Sequence, residues 1–282
     1  MFQIMKEYRV SIIIILFMTI IVVFNINGKS CAHNTKDSIT QVQSSERSIH
    51  DVDIPILPKN IPSQILRRTS YITSYNKETK LPNWVAWHLT AEHATGFVPR
   101  PQNAWREDEE VPRPRATYYD YKGSGWTRGH MCPAGDNKWS SYAMYDTFLF
   151  TNCCPQNGNL NSGDWNQIEM SCRRWAEKYG DIYIVCGPVL FRQEHERIGE
   201  NRVVVPEAFF KVVICLNGKP KGIGFICRNT SGGRNRDFYV NSIRQVERIT
   251  GITFFPYLPK EIDIPVKDEV DLEAWDHPHI RQ

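Results

Sequence analysis

A large excess of charge of one sign is missing. Thirty-four Lys and Arg stand against 31 Asp and Glu, which leaves +3 over 282 residues. Net charge therefore does not by itself announce a polyanionic partner, although a basic face balanced by acids elsewhere stays open. No CxxC pair occurs among the eight cysteines, which argues against a structural zinc site. No internal repeat is found, so a solenoid or propeller array is excluded. An apolar run of bilayer length is missing too. The longest, Val10 to Phe24, is interrupted only by Ser11 and Thr19, and it falls short of the roughly 20 residues a spanning helix needs.

What is present begins with that run. Lys6 and Arg9 precede it, and Gly28 and Ser30 follow it. A basic start, a short apolar stretch and small residues predict an export signal over residues 1–30. The expected location is then periplasmic, extracellular or membrane-anchored. An uncleaved N-terminal anchor is the alternative, and membrane association is expected only in that case. Lipidation at Cys31 fits poorly, because Lys29 is charged and no leucine stands three before the cysteine. Residues 31–60 are polar and without periodicity, as a flexible linker would be. The folded domain is expected over residues 61–282, with an acidic, proline-punctuated tail from Lys260 running over the surface. With 41% hydrophobic and 23% charged residues, the chain can bury a real core. Export would permit disulfides among the cysteines. Cys186, Cys215 and Cys227 sit in strand-like apolar runs, which favours small buried residues instead.

Branched and aromatic residues bounded by Gly, Pro and Asn predict strands at Asn83–Thr90, Asp181–Val189, Ala208–Leu216 and Gly222–Cys227. Asn217-Gly218 predicts a hairpin between the last two. Trp165, Ile168, Cys172 and Trp175 recur at helical spacing, predicting a helix over Asp164–Tyr179 with Gly180 as its stop. A second helix is predicted over Phe238–Ile249. Strands and helices mix without strict alternation, so the expected class is α+β with a central antiparallel sheet flanked by helices.

Two stretches carry chemistry. Tyr121–Ser140 reads YKGSGWTRGHMCPAGDNKWS, and Thr151–Glu169 reads TNCCPQNGNLNSGDWNQIE. His130 can accept a proton near neutral pH and is a candidate general base. An Asn-dense loop feeding an amphipathic helix is either a surface loop or a site that organises water and metal. Mg²⁺ prefers oxygen ligands and keeps several waters, so a single amide such as Asn161 can hold it. Asn161 stands just before the predicted helix and Glu169 inside it, so both can face one pocket.

Arg128-Gly129-His130, followed by Pro133-Ala134 and Asp136, resembles the signature of the DNA/RNA non-specific endonucleases with the ββα-metal (His-Me finger) fold. Asn152, Pro155-Gln156, Asn161, Trp165 and Glu169 follow in that family's order and spacing, and Gly187-Pro188 after a strand is also similar. The resemblance covers roughly Ile61 to Pro259, nearly all of the expected domain. It implies a metal-dependent endonuclease acting on DNA and RNA without sequence specificity. His130 would then activate water, Asn161 would hold Mg²⁺ (or Mn²⁺), and Glu169 would hydrogen-bond the metal's waters. Arg128 would pair with phosphate, and Asn152 would orient His130 or its water. Arg100, in PRPQNAWRED, resembles an upstream substrate arginine of the family.

One departure stands out: the family usually has Asp immediately before Arg-Gly-His, and this chain has Thr127. Weaker metal binding or a shifted pH optimum is expected. Rival readings are a non-catalytic nucleic-acid binder, a small-molecule phosphodiesterase, a Cys–His hydrolase using Cys132 or Cys154 with His130, and a structural or adhesion domain.

Overall fold

The computed structural model describes residues 54–276. The expected export signal, Cys31 and most of the expected linker lie outside the described residues. In chain order the first half contains β1 (Gln64–Arg67), β2 (Ile72–Asn76), β3 (Leu81–Thr90), α1 (Ala91–Ala94), α2 (Tyr118–Tyr121) and β4 (Thr127–His130). Next come α3 (Ser141–Asp146), β5 (Cys153–Gln156), α4 (Gly158–Ser162), α5 (Asp164–Tyr179) and β6 (Asp181–Val189). The short β7 (Arg197–Ile198) and β8 (Val203–Val204) precede β9 (Ala208–Cys215), β10 (Lys221–Arg228) and β11 (Val240–Asn241). Helices α6 (Ile243–Thr250), α7 (Lys260–Asp268) and α8 (Leu272–Asp276) end the described chain.

Seven strands form one sheet in the order β1-β2-β3-β6-β9-β10-β11, antiparallel at every pairing. Central β9 is buried along its whole length, because helices cover both faces. On one face Trp165, Ile168, Cys172 and Trp175 of α5 pack against Val85, Ile184, Phe209 and Val213. On the other, Ile243, Val246 and Val266 of α6 and α7 pack against Ala86, Val185, Phe210 and Val212. Each such side chain contributes about 1.5–3 kcal/mol by leaving water. This is the α+β layered class that the alternation of strands and helices predicts.

Helix α5 occupies the predicted span, and Gly180 ends it at φ +92°, which favours glycine. Helix α6 starts later than predicted. Ser242 accepts from the Gln245 amide while Gln245 returns a bond to the Ser242 amide, so a capping box sets the start. Val240 and Asn241 are instead drawn into β11, opposite Phe225 and Gly224. The expected hairpin joins β9 to β10, with Cys215 opposite Lys221 and Gly218 at φ +72° in the loop.

The start of ordered packing and the fold of the tail differ from expectation. Ile56 and Thr253 exchange backbone hydrogen bonds of 2.9 Å each, so ordered packing begins before Ile61. The acidic tail folds into α7 and α8, and Trp275 is fully buried with its ring 4.6 Å from Trp175. The seven described cysteines are free and buried, the small-apolar alternative.

Candidate active site

Strands β4 and β5 form a separate antiparallel hairpin that sets Thr127 opposite Gln156, Arg128 opposite Pro155, Gly129 opposite Cys154 and His130 opposite Cys153. The short helix α4 follows β5, giving a strand–strand–helix unit. Side chains alternate along a strand, so Arg128 and His130 share a face while Thr127 points the other way. Gly129 lies so close to β5 that a Cβ there would come within 2.1 Å of Gln156 Oε1.

The shared face meets Trp105. Its ring centroid lies 4.5 Å from the His130 imidazole, and Phe148 stands edge-on to the same imidazole at 5.0 Å. The Arg128 guanidinium sits 5.6 Å from the Trp105 centroid, and Arg100 lies 5.2 Å from that of Phe148. His130 is only 9% exposed, and its Nε2 has no hydrogen-bond partner in the protein. Burial first, then the positive charges of Arg100 and Arg128, lower its pKa to about 3. The imidazole is therefore neutral at physiological pH, with a ring nitrogen uncommitted and two arginines close by. The structure thus brings together His130, Arg128 and Arg100.

Asn161 lies on α4, on the Thr127 side of the hairpin. Its Nδ2 donates to Thr127 Oγ1 at 3.1 Å, and that hydroxyl donates to the Gln156 carbonyl at 2.7 Å. With the amide nitrogen so engaged, the carbonyl oxygen is the atom left to accept. A single carboxamide oxygen fits a hard, hydrated cation such as Mg²⁺ in kind. Among the described residues no group of three or more His, Cys, Asp or Glu is placed to hold a metal ion, so a soft-metal cage does not fit.

Glu169 is half-buried on α5. Burial pushes its carboxyl up to about 7, against the pull of nearby Lys211. Lys211, fully buried on β9, has its ammonium 4.6 Å from the Trp165 ring centroid and 5.0 Å from that of Trp87. Burial opposes its charge, yet Cys186, Cys172, Glu169 and Asp136 outweigh that and raise its pKa. Asp136 accepts from Arg173 Nη1 at 2.8 Å and from Trp87 Nε1 at 3.1 Å.

Asn152 requires a correction. It does not reach the His130 ring: its Oδ1 accepts from the Cys132 amide at 2.8 Å, and its Nδ2 donates to the carbonyls of Cys132 and Thr147 at 2.9 Å each. The side chain is fully buried and engaged with backbone, so it holds the chain that leaves His130 rather than touching the base. The Cys–His rival is also closed. Cys132 and Cys154 are fully buried, and burial raises both thiols well above their ordinary range, where thiolate is scarce. Trp105, Phe148 and Lys211 were not singled out from the sequence. Trp105 stands in the same PRPQNAWRED stretch as Arg100, but only the fold brings it to His130.

Residues 51–261 match the profile of the family described as DNA/RNA non-specific endonuclease. The human protein "Nuclease EXOG, mitochondrial" is 35% identical over 214 residues, covering 70% of this chain and 58% of the relative. Human "Endonuclease G, mitochondrial" is 32% identical over 208 residues, covering 69% of this chain and 70% of the relative. A solved structure of an EndoG/EndoGI complex superposes with a TM-score of 0.71 at 26% identity, covering 84% of this chain and 99% of the EndoG-complex chain. The chain spans about 58% of the length of human EXOG. These relatives overturn the expectation of export: both curated proteins are named as mitochondrial, not secreted. Among the described residues, no helix is long and apolar enough to cross a membrane.

Proposed function

Because the chain belongs to the DNA/RNA non-specific endonuclease family, we propose that it hydrolyses internal phosphodiester bonds of DNA and RNA without reading their sequence, at a mitochondrial address like that of its named relatives. The observation that carries this reading is His130: a buried, neutral imidazole with an uncommitted Nε2, flanked by two arginines.

Arg128 and Arg100 pair with the backbone phosphate, Arg128 through its planar fork. His130 then accepts the proton of the attacking water. Its low proton affinity in the free protein is partly the work of those arginines. A bound phosphate offsets their charge, so the imidazole becomes a stronger base when substrate is in place. Trp105 and Phe148 fix the ring plane, so this proton acceptor needs no reorganisation at the moment of reaction. Asn161, anchored by Thr127, would hold Mg²⁺ or Mn²⁺, and Glu169 would support the ion's waters. Once bound, that cation supplies positive charge that stabilises the phosphate and the departing 3′ oxygen. Contacts to phosphate carry no base information, which accounts for the lack of sequence preference.

Conversion of supercoiled plasmid to open circles tests the reading. Cutting that needs Mg²⁺, stops with chelator and is lost in His130→Ala is expected. Equal nicking by His130→Ala would remove the base assignment. No cutting with any divalent metal would leave only nucleic-acid binding.

A further inference from the structure

Strand β9 reads AFFKVVIC and is buried along its whole length, and Lys211 is its one charged residue. Side chains alternate along a strand, so Lys211 shares a face with Phe209 and Val213, the face that α5 covers. An apolar residue is what that position calls for. A fully buried ammonium is costly unless opposite charge answers it.

The ammonium lies over two indole faces, 4.6 Å from the centroid of Trp165 and 5.0 Å from that of Trp87. Those rings ease its desolvation but do not neutralise it. Four thiols lie near enough to feel its charge, those of Cys132, Cys172, Cys186 and Cys227, and burial raises each of them. None is therefore an anion at physiological pH. Two carboxylates remain. Asp136 is engaged on both oxygens, one accepting from Arg173 Nη1 at 2.8 Å and the other from Trp87 Nε1 at 3.1 Å. With Asp136 paired to Arg173, Glu169 is the carboxylate left to balance Lys211. Glu169 stands four residues after Trp165 on α5, so both lie along one face of the helix, and Trp165 is the residue against the ammonium. Of the charges acting on Glu169, that of Lys211 is the largest.

Burial by itself drives a carboxyl toward its neutral form, which has fewer acceptor sites to offer than a carboxylate. We propose that Lys211 is a positioning residue for the cut, a buried counter-charge behind Glu169 that holds this carboxylate as the anion to which the metal's waters hydrogen-bond. The inference rests on the role given to Glu169 above, and it adds a residue buried away from both substrate and metal.

The test uses the full chain and two readouts. The first needs neither metal nor substrate. Urea unfolding with chelator present is compared for the natural protein, Lys211→Met, Glu169→Gln and the double variant. The pH is set at about 8, so that the Glu169 carboxyl, at about 7, is ionised. Removing one partner of a buried pair leaves a charge uncompensated, whereas removing both is tolerated. Glu169→Gln is therefore expected to destabilise the natural protein and to stabilise Lys211→Met. Equal effects in the two backgrounds, or coupling of Lys211→Met to Asp136→Asn in place of Glu169→Gln, overturns the pairing.

The second readout is calorimetric titration of Mg²⁺ into the same proteins across pH. In Lys211→Met the affinity below about pH 7 should fall by about tenfold for each unit that the carboxyl shifts upward, and it should recover at higher pH. A merely structural loss would not recover. In the Glu169→Gln background Lys211→Met should change nothing, which keeps the test open if the single variant fails to fold. A further fall in that background, or natural affinity in Lys211→Met at every pH, overturns the proposal. Unchanged affinity in Glu169→Gln overturns the role given to Glu169 and the positioning built on it, while the His130 reading stands.

Discussion

His130 stays neutral because burial and two neighbouring arginines all oppose a positive charge. The consequence for stability has a definite sign. Folded His130 refuses a proton that the unfolded chain takes up near pH 6.5. Its contribution is therefore fully present above pH 6.5 and is lost as pH falls toward about 3. Urea unfolding of the natural protein should weaken over that window by up to about 5 kcal/mol more than His130→Asn, and parallel pH curves would refute the assignment. Thr127 carries the second prediction at this scale. It orients Asn161 through one 3.1 Å bond, so Thr127→Val should weaken Mg²⁺ binding, and Thr127→Asp should strengthen it by adding a charge beside the same amide. Calorimetric titration of metal into the three proteins decides it, and three equal affinities would detach Thr127 from the metal. His130, Arg128 and Asn161 stand out as candidates in the sequence because each lies within a short motif. The engagement of Asn152 with the Cys132 and Thr147 backbone does not, because a buried amide's partners depend on how the loops fold back.

At the scale of elements, the site is a hairpin and a helix, and Gly129 lies directly against the Gln156 side chain. Gly129→Ala would drive a methyl group into the Gln156 side chain. Gln156 is fully buried and cannot swing into solvent. Overpacking of this kind costs about 1–3 kcal/mol, so the unfolding midpoint should drop and nicking should fall with it as His130 shifts. Unchanged values for both would show that the hairpin yields without cost. Helix α6 supplies a control remote from the chemistry. Ser242→Ala removes the cap and should cost about 1 kcal/mol, with nicking per folded molecule unchanged. The helix starts at Ser242 and not at Phe238 because the Ser242–Gln245 capping box satisfies the first-turn amides there. Strands β4 and β5 carry no strand signal in the sequence because they are four residues each, TRGH and CCPQ, without a branched or aromatic run, and their pairing depends on partners far apart in the chain.

For the whole molecule, the C-terminal helices are part of the core. Trp275 packs at a tilt against Trp175 of α5, the helix that also carries Glu169. Its Trp175 partner donates from Nε1 to Asp276 at 3.2 Å, and Lys178 donates to the Trp275 carbonyl at 3.2 Å. Trp275→Ala should cost about 3–5 kcal/mol by leaving a cavity, seen as a large fall in melting temperature. A fall of only a degree or two would mean that α8 is a dispensable cover. Composition could not reveal this, because an acidic segment with prolines has the look of a surface tail. The helix buries a single residue, the tryptophan that closes the core over α5.

Local order was determined by the sequence itself. The 3.6-residue stripe of α5, the branched runs of β6, β9 and β10, and the family motifs around His130 and Asn161 each depend on neighbours a few positions away. Tertiary structure alone decided that Trp105 and Phe148 clamp His130, that Arg100 reaches it, and that Lys211 faces Glu169. Those contacts join residues far apart in the chain. Desolvation and charge act through space, so only the folded arrangement sets them.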